Sequence, residues 1–146
     1  MSIYLDNNVL IPTQVREAAS DAVRAYLAAE DNRLISDFAV VEVTSVLSRF
    51  VRTRVLTPTE AAVRLADFDT WRAASSSADT HAADPRLANT YVSRFDLMLR
   101  APDALHLAIV NRLRATLVTL DRRLERAAQE LGIAVEAPQT TWTEPR

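Results

Sequence analysis

Four acidic residues stand where strands or helices are expected to begin or end. Asp6 follows the strand-like run "SIYL", and Asp121 follows "TLVTL". Glu42 interrupts the apolar run "FAVVEVTSVL", and Asp103 follows the helix-starting Pro102. Because function in open α/β sheets collects at the carboxyl ends of the strands, we expect these four carboxylates to converge on one edge of a sheet.

A cluster of carboxylates predicts a hard divalent cation. Like charges repel at short range, and burial of an unpaired carboxylate is costly, so such a group needs a cation or a shift in protonation. Mg²⁺ takes oxygen ligands, binds one or two carboxylates directly and keeps several waters, and Asn8, Ser36 and Thr119 add neutral oxygens nearby. A bound Mg²⁺ lowers the pKa of water and neutralises charge on a phosphoryl group, as hydrolysis of a phosphodiester requires.

Each acid also has a structural interpretation that the sequence leaves open. Asp103 and Asp121 would be stabilised at helix N-termini by the macrodipole. Asp6 would be satisfied by a side-chain turn after its strand. Glu42 has Arg49 two helical turns further along and would form a salt bridge with it at the helix surface.

Composition excludes several other kinds of site. The chain has 146 residues, a net charge of −2 and no cysteine, so disulfides, thiolate zinc sites and thiol nucleophiles are excluded. All 17 basic residues are arginine, which excludes lysine-based Schiff-base chemistry. With Gly132 as the sole glycine, glycine-rich nucleotide-binding loops are excluded as well.

The elements that would position the acids alternate between strands and helices. Strands are predicted at "SIYL", "RLIS", "TLVTL" and "IAVEA", while "AASSSADTHAAD" is either a loop or a weak edge strand. Periodicity and helix-start signals predict six helices. The first three span residues 13–30, Ser36 or Asp37 to about 51, and the Thr57 capping box to about 71. Of the last three, one spans residues 84–99, one begins at 102, and one runs from 121 to the stop at Gly132.

This alternation predicts the α/β fold class. Short strands that are apolar on both faces, separated by helices, are typical of a parallel sheet covered on both sides. We expect one domain over residues 1–137 and a tail over residues 138–146. The sequence has no signal-peptide pattern and no apolar run of about 18 residues, so we expect a cytoplasmic protein without a membrane span.

Four segments, in order, resemble the acidic motifs of PIN-domain ribonucleases. They are "IYLDNNVLI", "ISDFAVVEVTSVLSR", "RAPDALHLAIVNRL" and "LVTLDRRLERAAQELGI". Within that family the chain is most similar to VapC-type toxins of bacterial toxin/antitoxin pairs. The resemblance covers residues 3 to about 135, and "PDALHLA" followed by "LVTLD" is its most specific part.

The resemblance implies a fold, an activity and partners. It implies a three-layer α/β/α sandwich on a four- or five-stranded parallel sheet and a Mg²⁺- or Mn²⁺-dependent endoribonuclease. It also implies a homodimer and inhibition by a small antitoxin whose C-terminal segment covers the active site.

The same resemblance assigns roles to the acids. Asp6 and Asp103 match the acids that bind the metal directly. Glu42 and Asp121 match the second and fourth acids, which bind it directly or through water. Asn8 and Thr119 match supporting positions of the family, whereas His106, one turn after Asp103, is expected to pack or form a hydrogen bond.

RNA contacts would come from local clusters of arginine, since the net charge is negative. Arginine binds two phosphate oxygens with its planar guanidinium group. The candidate contacts lie at the end of one predicted helix and beside the fourth motif: Arg49, Arg52, Arg122 and Arg123.

Two other classes of function remain as alternatives. One is a phosphoacceptor or an aspartyl-phosphate phosphatase, which also uses carboxylates at strand ends. Receivers need a lysine, and the phosphatases carry a second Asp where this chain has Asn8. The other is a non-catalytic PIN-fold interaction protein, although all four acids are present.

Overall fold

The protein contains a five-stranded, all-parallel sheet in a computed structural model that describes residues 1–139. The strands are β1 (Ile3–Leu5), β2 (Arg33–Ser36), β3 (Ser76–Ala78), β4 (Thr116–Val118) and β5 (Val135–Glu136). Their spatial order is β3-β2-β1-β4-β5, with β1 at the centre. The predicted parallel sheet is therefore confirmed, and the weak strand candidate forms β3 at one edge.

Helices pack on both faces of this sheet. Within the described residues they are α1 (Asn7–Gln14), α2 (Ser20–Ala28), α3 (Asp37–Arg52), α4 (Pro58–Arg72), α5 (Ala83–Val92), α6 (Ala101–Leu113) and α7 (Arg122–Glu130), with a 3₁₀ turn at Phe95–Leu97. One apolar cluster joins the sheet to α1–α4, and a second joins it to α5–α7. The predicted three-layer α/β/α sandwich is confirmed.

The helix starts follow the local sequence signals. The Ser36 side chain accepts a hydrogen bond from the Ala39 backbone and caps α3. Thr57 and Glu60 form the predicted reciprocal capping box of α4, with Pro58 as its first residue. After α7, Gly132 adopts a φ of 71°, the left-handed conformation that ends many helices.

The helix predicted over residues 13–30 is confirmed only from Ser20 to Ala28, as α2, and its first part is wrong. The chain instead forms α1 directly after Asp6, and Val15 adopts an extended conformation that ends this helix. The Ser20 hydroxyl then donates to the Val15 carbonyl and accepts from the Glu17 backbone, which stabilises the break before α2.

The helix predicted over residues 84–99 ends early, at Val92. Arg94 leaves the helical region with a ψ of 79°, and its guanidinium group binds the Asp96 carboxylate. Met98 has a φ of 55°, which turns the chain toward α6. The chain then enters α6, the helix that carries Asp103.

The predicted tail over residues 138–146 falls almost wholly on residues 140–146, which lie outside the described residues. Along the described part of the chain, every helix is too short or too polar to cross a membrane.

Candidate functional site

Asp6 is a buried carboxylate at the carboxyl end of the central strand β1, with 3% of its surface exposed. Its Oδ1 accepts the Asn7 backbone N–H at 2.7 Å, which caps α1, and its Oδ2 accepts the Thr119 hydroxyl at 2.9 Å. Burial raises the pKa of Asp6, against the lowering effects of nearby His106 and of these donors. These bonds fix the orientation of the side chain, and a nearby cation would stabilise its charged form.

Thr119 links Asp6 to the end of β4. Its hydroxyl is fully buried and accepts the Asp121 backbone N–H at 3.1 Å and the Asn8 side-chain amide at 3.2 Å. The Asn8 carbonyl oxygen in turn accepts the Leu120 backbone N–H at 3.0 Å. The two predicted supporting residues, Asn8 and Thr119, therefore connect the chain after β1 with the chain after β4.

Glu42 points into the site from α3 and is 18% exposed. Its Oε1 contacts His106 Nε2. The alternative salt bridge between Glu42 and Arg49 does not form. Glu42, the single acid within an apolar run, is therefore partnered by a buried histidine from the helical layer on the other face of the sheet.

His106 lies between Glu42 and Asp6, with 1% of its surface exposed. Its Nε2 is 3.7 Å from Asp6 Oδ1, and its Nδ1 is 2.6 Å from the Tyr4 hydroxyl. Burial acts to lower the pKa of His106, but the hydrogen bond with Glu42 and the charge of Asp6 outweigh it and raise the pKa. The expectation that His106 forms a hydrogen bond is confirmed.

Asp103 and Asp121 flank this group. Asp103 is 16% exposed and accepts the Arg100 backbone N–H at 3.1 Å in the first turn of α6. Its negative charge is one of those that raise the pKa of His106, but Asp103 is outside the group of three side chains whose ligand atoms lie within 4.8 Å of one another. Asp121 is 23% exposed and caps α7 by accepting the Arg123 backbone N–H at 2.9 Å. Both acids therefore have the helix-start roles that the sequence left open, and their part in a metal site stays a prediction.

Three side chains of the site have donor atoms close enough to share a cation. One ligand atom each from Asp6, Glu42 and His106 lies within 4.8 Å of the others. The two carboxylates suit Mg²⁺ or Mn²⁺, which prefer oxygen, and imidazole suits Mn²⁺ better than Mg²⁺. The residues present therefore fit a hard divalent ion.

The four candidate arginines differ in what they contact. Arg49 lines a surface cavity with Asn7 and Asn8, so it lies on the side of α3 that faces the start of α1. Arg123 Nη2 is 3.8 Å from Asp121 Oδ2. Arg52 instead donates to Ser48 on its own helix, and Arg122 lines a cavity with α7 residues and the chain after β5. Arg49 and Arg123 are therefore the better placed candidates.

Tyr4 is the residue that sequence reasoning missed. It is fully buried in β1, and its hydroxyl contacts both Ser36 Oγ, at 2.7 Å, and His106. A tyrosine in a short apolar strand resembles an ordinary core residue in sequence. The signal was that a buried tyrosine hydroxyl needs a hydrogen-bond partner, and that the polar residues Ser36 and His106 are expected near the same edge of the sheet.

Comparison with known proteins agrees with this geometry. The PIN domain family profile matches residues 3–130. Ribonuclease VapC46 of Mycobacterium tuberculosis is 34% identical over 140 residues, covering 94% of this chain and 98% of that protein.

Two solved structures share the fold at low sequence identity. VapC20 of M. tuberculosis, described as a sarcin-ricin loop cleaving toxin, superposes with a TM-score of 0.71 at 15% identity, covering 86% of this chain and 95% of that one. A toxin-antitoxin complex from Klebsiella pneumoniae contains a chain with a TM-score of 0.64 at 18% identity, covering 94% and 98%. At such identities the likeness supports the fold alone, whereas the profile and the 34% identical relative identify the family. The chain therefore belongs to the PIN domain family, in its VapC-type group.

Proposed function

We propose that the protein is a metal-dependent endoribonuclease that acts as the toxin of a toxin/antitoxin pair. The observation that carries the proposal is the convergence of Asp6, Glu42 and His106, whose ligand atoms lie within 4.8 Å of one another at the carboxyl end of the central strand. The 34% identical relative is named a ribonuclease, which supports the same chemistry. Family membership also sets aside the phosphoacceptor and phosphatase alternative.

The four acids have distinct roles in this proposal. Asp6 and Asp103 would hold Mg²⁺ or Mn²⁺ directly, while Glu42 and Asp121 would bind it directly or through water. When bound, the ion would lower the pKa of water and neutralise charge on the scissile phosphate.

The protein's own side chains orient this site. Thr119 and the Asn7 backbone hold both oxygens of Asp6, so that carboxylate cannot rotate freely. Asp121 is held at the start of α7 by backbone donors. Arg49, which lines a cavity with Asn7 and Asn8, and Arg123, which lies 3.8 Å from Asp121, would bind the RNA backbone beside the acids.

The proposed partners are RNA, a second copy of the chain and a small antitoxin. The Klebsiella neighbour is a toxin-antitoxin complex, which supports an antitoxin for this chain. An acidic site would suit an antitoxin segment that carries arginine, because the guanidinium group pairs with carboxylates.

Cleavage of RNA by the purified chain tests the activity. We expect cleavage with Mg²⁺ or Mn²⁺, none with excess chelator, and a loss of at least about 100-fold in Asp6→Asn and Asp103→Asn, because each removes a proposed ligand charge. Asp96→Asn is the control, since Asp96 pairs with Arg94 on an exposed turn. Chelator-resistant cleavage, or wild-type rates in both ligand variants, would refute the metal mechanism. A complete lack of cleavage would favour the non-catalytic PIN-fold alternative.

Growth on expression tests the toxin role separately. Wild-type expression without an antitoxin should arrest growth, and Asp103→Asn should not, although both chains accumulate. Normal growth of cells that contain an active, RNA-cleaving wild-type chain would contradict the toxin role and leave the nuclease activity standing.

A further inference from the structure

A chain of buried hydrogen bonds runs from the start of α3 to Glu42 on the same helix. It begins at the Ala39 backbone N–H, which donates to Ser36 Oγ at 3.0 Å. Ser36 contacts the Tyr4 hydroxyl, Tyr4 contacts His106 Nδ1, and His106 Nε2 contacts Glu42. Ser36 and Tyr4 are fully buried and His106 almost so, and water therefore has little access to the links.

The direction of these bonds assigns the hydrogen on the imidazole. A carboxylate only accepts hydrogen bonds, so the ring nitrogen that contacts Glu42 must donate. If His106 is neutral, Ser36 donates to Tyr4 and Tyr4 donates to Nδ1, which leaves the hydrogen on Nε2. If His106 is charged, both nitrogens donate, and Tyr4 donates to Ser36 instead. Nε2 carries a hydrogen in either case.

The ring also has little freedom to rotate. The Phe38 ring lies 5.0 Å from the imidazole centroid and the Tyr4 ring lies 5.6 Å from it. A flip of the imidazole would exchange Nδ1 with a carbon and break the bond to Tyr4. Packing and hydrogen bonding therefore favour the same orientation.

We infer that His106 is a positioning residue that fixes the Glu42 carboxylate through a hydrogen on Nε2, and that it is not a metal ligand. Although its Nε2 lies within the group of three potential ligands, this nitrogen is already engaged by the Glu42 carboxylate, and it would have to lose its hydrogen and that bond before it could bind an ion. One Glu42 oxygen is occupied by His106, which leaves the other for the metal or its water. Tyr4 and Ser36 hold the imidazole, as partners of site histidines commonly do.

This inference rests on the proposed function only for the role of Glu42. The hydrogen-bond chain itself is a property of the metal-free protein and can be measured without RNA. The sequence contains two histidines, and the other, His81, is exposed, which provides an internal reference.

Nitrogen-15 NMR of the imidazole rings tests the inference in the metal-free chain. We expect His106 to carry a slowly exchanging hydrogen on Nε2, while His81 shows fast exchange with water. Saturating Mg²⁺ should leave the Nε2 hydrogen in place. A hydrogen on Nδ1 alone, or loss of the Nε2 hydrogen when Mg²⁺ binds, would overturn the inference.

Substitution of the imidazole tests its function. Because partners of metal ligands commonly contribute 10- to 100-fold, we expect His106→Leu to weaken Mn²⁺ binding by about 10- to 100-fold and to slow cleavage with little change in KM for RNA. His106→Gln, which keeps a side-chain donor, should restore part of both. Equal loss in the two variants, or wild-type Mn²⁺ affinity in His106→Leu, would contradict positioning.

Tyr4→Phe supplies a second variant in case His106→Leu does not fold. It keeps the packed ring and removes only the hydroxyl that holds Nδ1. We expect faster exchange of the Nε2 hydrogen and weaker Mn²⁺ binding. A spectrum of His106 identical to wild type in this variant would show that Tyr4 does not hold the ring. If RNA is never cleaved but these NMR and Mn²⁺ results hold, the proposed function fails and the positioning inference survives.

Discussion

At the scale of single residues, the sequence is enough to predict which acids are candidates for the site, but not which side chains contact them. Asp6 and Glu42 were visible because a carboxylate beside or within an apolar run needs a partner. Which residue becomes the partner of each acid depends on how the two helical layers are placed around the sheet, and only the folded structure shows this. His106 on α6 meets Glu42 on α3 only because both helices begin at the same edge of the sheet.

Thr119 offers a residue-scale prediction about the orientation of Asp6. Thr119→Val keeps the volume of the side chain but removes the only hydroxyl that donates to Asp6 Oδ2 among the described contacts. We expect a loss of about 2 kcal/mol of unfolding free energy, because buried polar partners are left unsatisfied. We also expect Mn²⁺ affinity to fall by about 10-fold, since Asp6 becomes free to rotate.

Urea denaturation and Mn²⁺ titration measure these two effects. Thr44→Val is the matched control, because Thr44 is exposed on α3 and bonds only to the Val40 carbonyl of its own helix. It should change stability by less than about 0.5 kcal/mol. A Thr119→Val chain as stable as this control, with unchanged Mn²⁺ affinity, would show that the hydroxyl does not support Asp6.

At the scale of elements, sequence signals predicted most helix starts, but they missed α1 and extended the helix after Asp84 beyond its end at Val92. Capping residues such as Ser36 and Thr57 act through local bonds, so a short window contains all the information. The break at Val15 depends on Ser20, and the end of α5 depends on the turn at Met98. Both lie in stretches whose apolar spacing alone would continue a helix.

The contact between α5 and α6 carries a second prediction. Asp84 on α5 is 2% exposed and binds Arg112 on α6 through two hydrogen bonds of 2.8 and 2.9 Å. Burial acts to raise the pKa of Asp84, but the bonds from Arg112 and the His81 backbone outweigh it and hold the pKa below its usual range. Asp84→Asn should therefore cost about 2 kcal/mol at neutral pH, since it weakens a charge-assisted pair.

The pH dependence of that cost follows from the lowered pKa. Stability from the Asp84 carboxylate is complete above its unfolded-state pKa and is lost as pH falls through the lower folded-state value. The difference in unfolding free energy between wild type and Asp84→Asn should thus shrink below about pH 4. Denaturation at several pH values checks this, with Asp67→Asn as control, because Asp67 is exposed on α4. A constant difference across the acid range would contradict the assigned pKa direction.

At the scale of the whole molecule, the sequence predicted the fold class because its signals agree with one another. The four apolar strands and the helices between them are enough to predict a parallel sheet covered on both faces. The fifth strand, β3, is weakly predicted because its segment is small and polar, and it lies at one edge of the sheet. The central position of β1 could not be derived from element order alone. That position is what brings Asp6 between Glu42, from the β2 side, and Thr119, from the β4 side.

The central claim is that one metal site formed by these acids performs RNA hydrolysis. It is tested most directly by the rate of RNA cleavage as a function of free Mn²⁺ for wild type, Asp103→Asn and Asp96→Asn. We expect the Asp96→Asn curve to superpose on wild type. The Asp103→Asn curve should reach half-saturation at a Mn²⁺ concentration at least about 10-fold higher, with a lower maximum, because a ligand charge is lost. An Asp103→Asn curve that superposes on wild type would contradict the account.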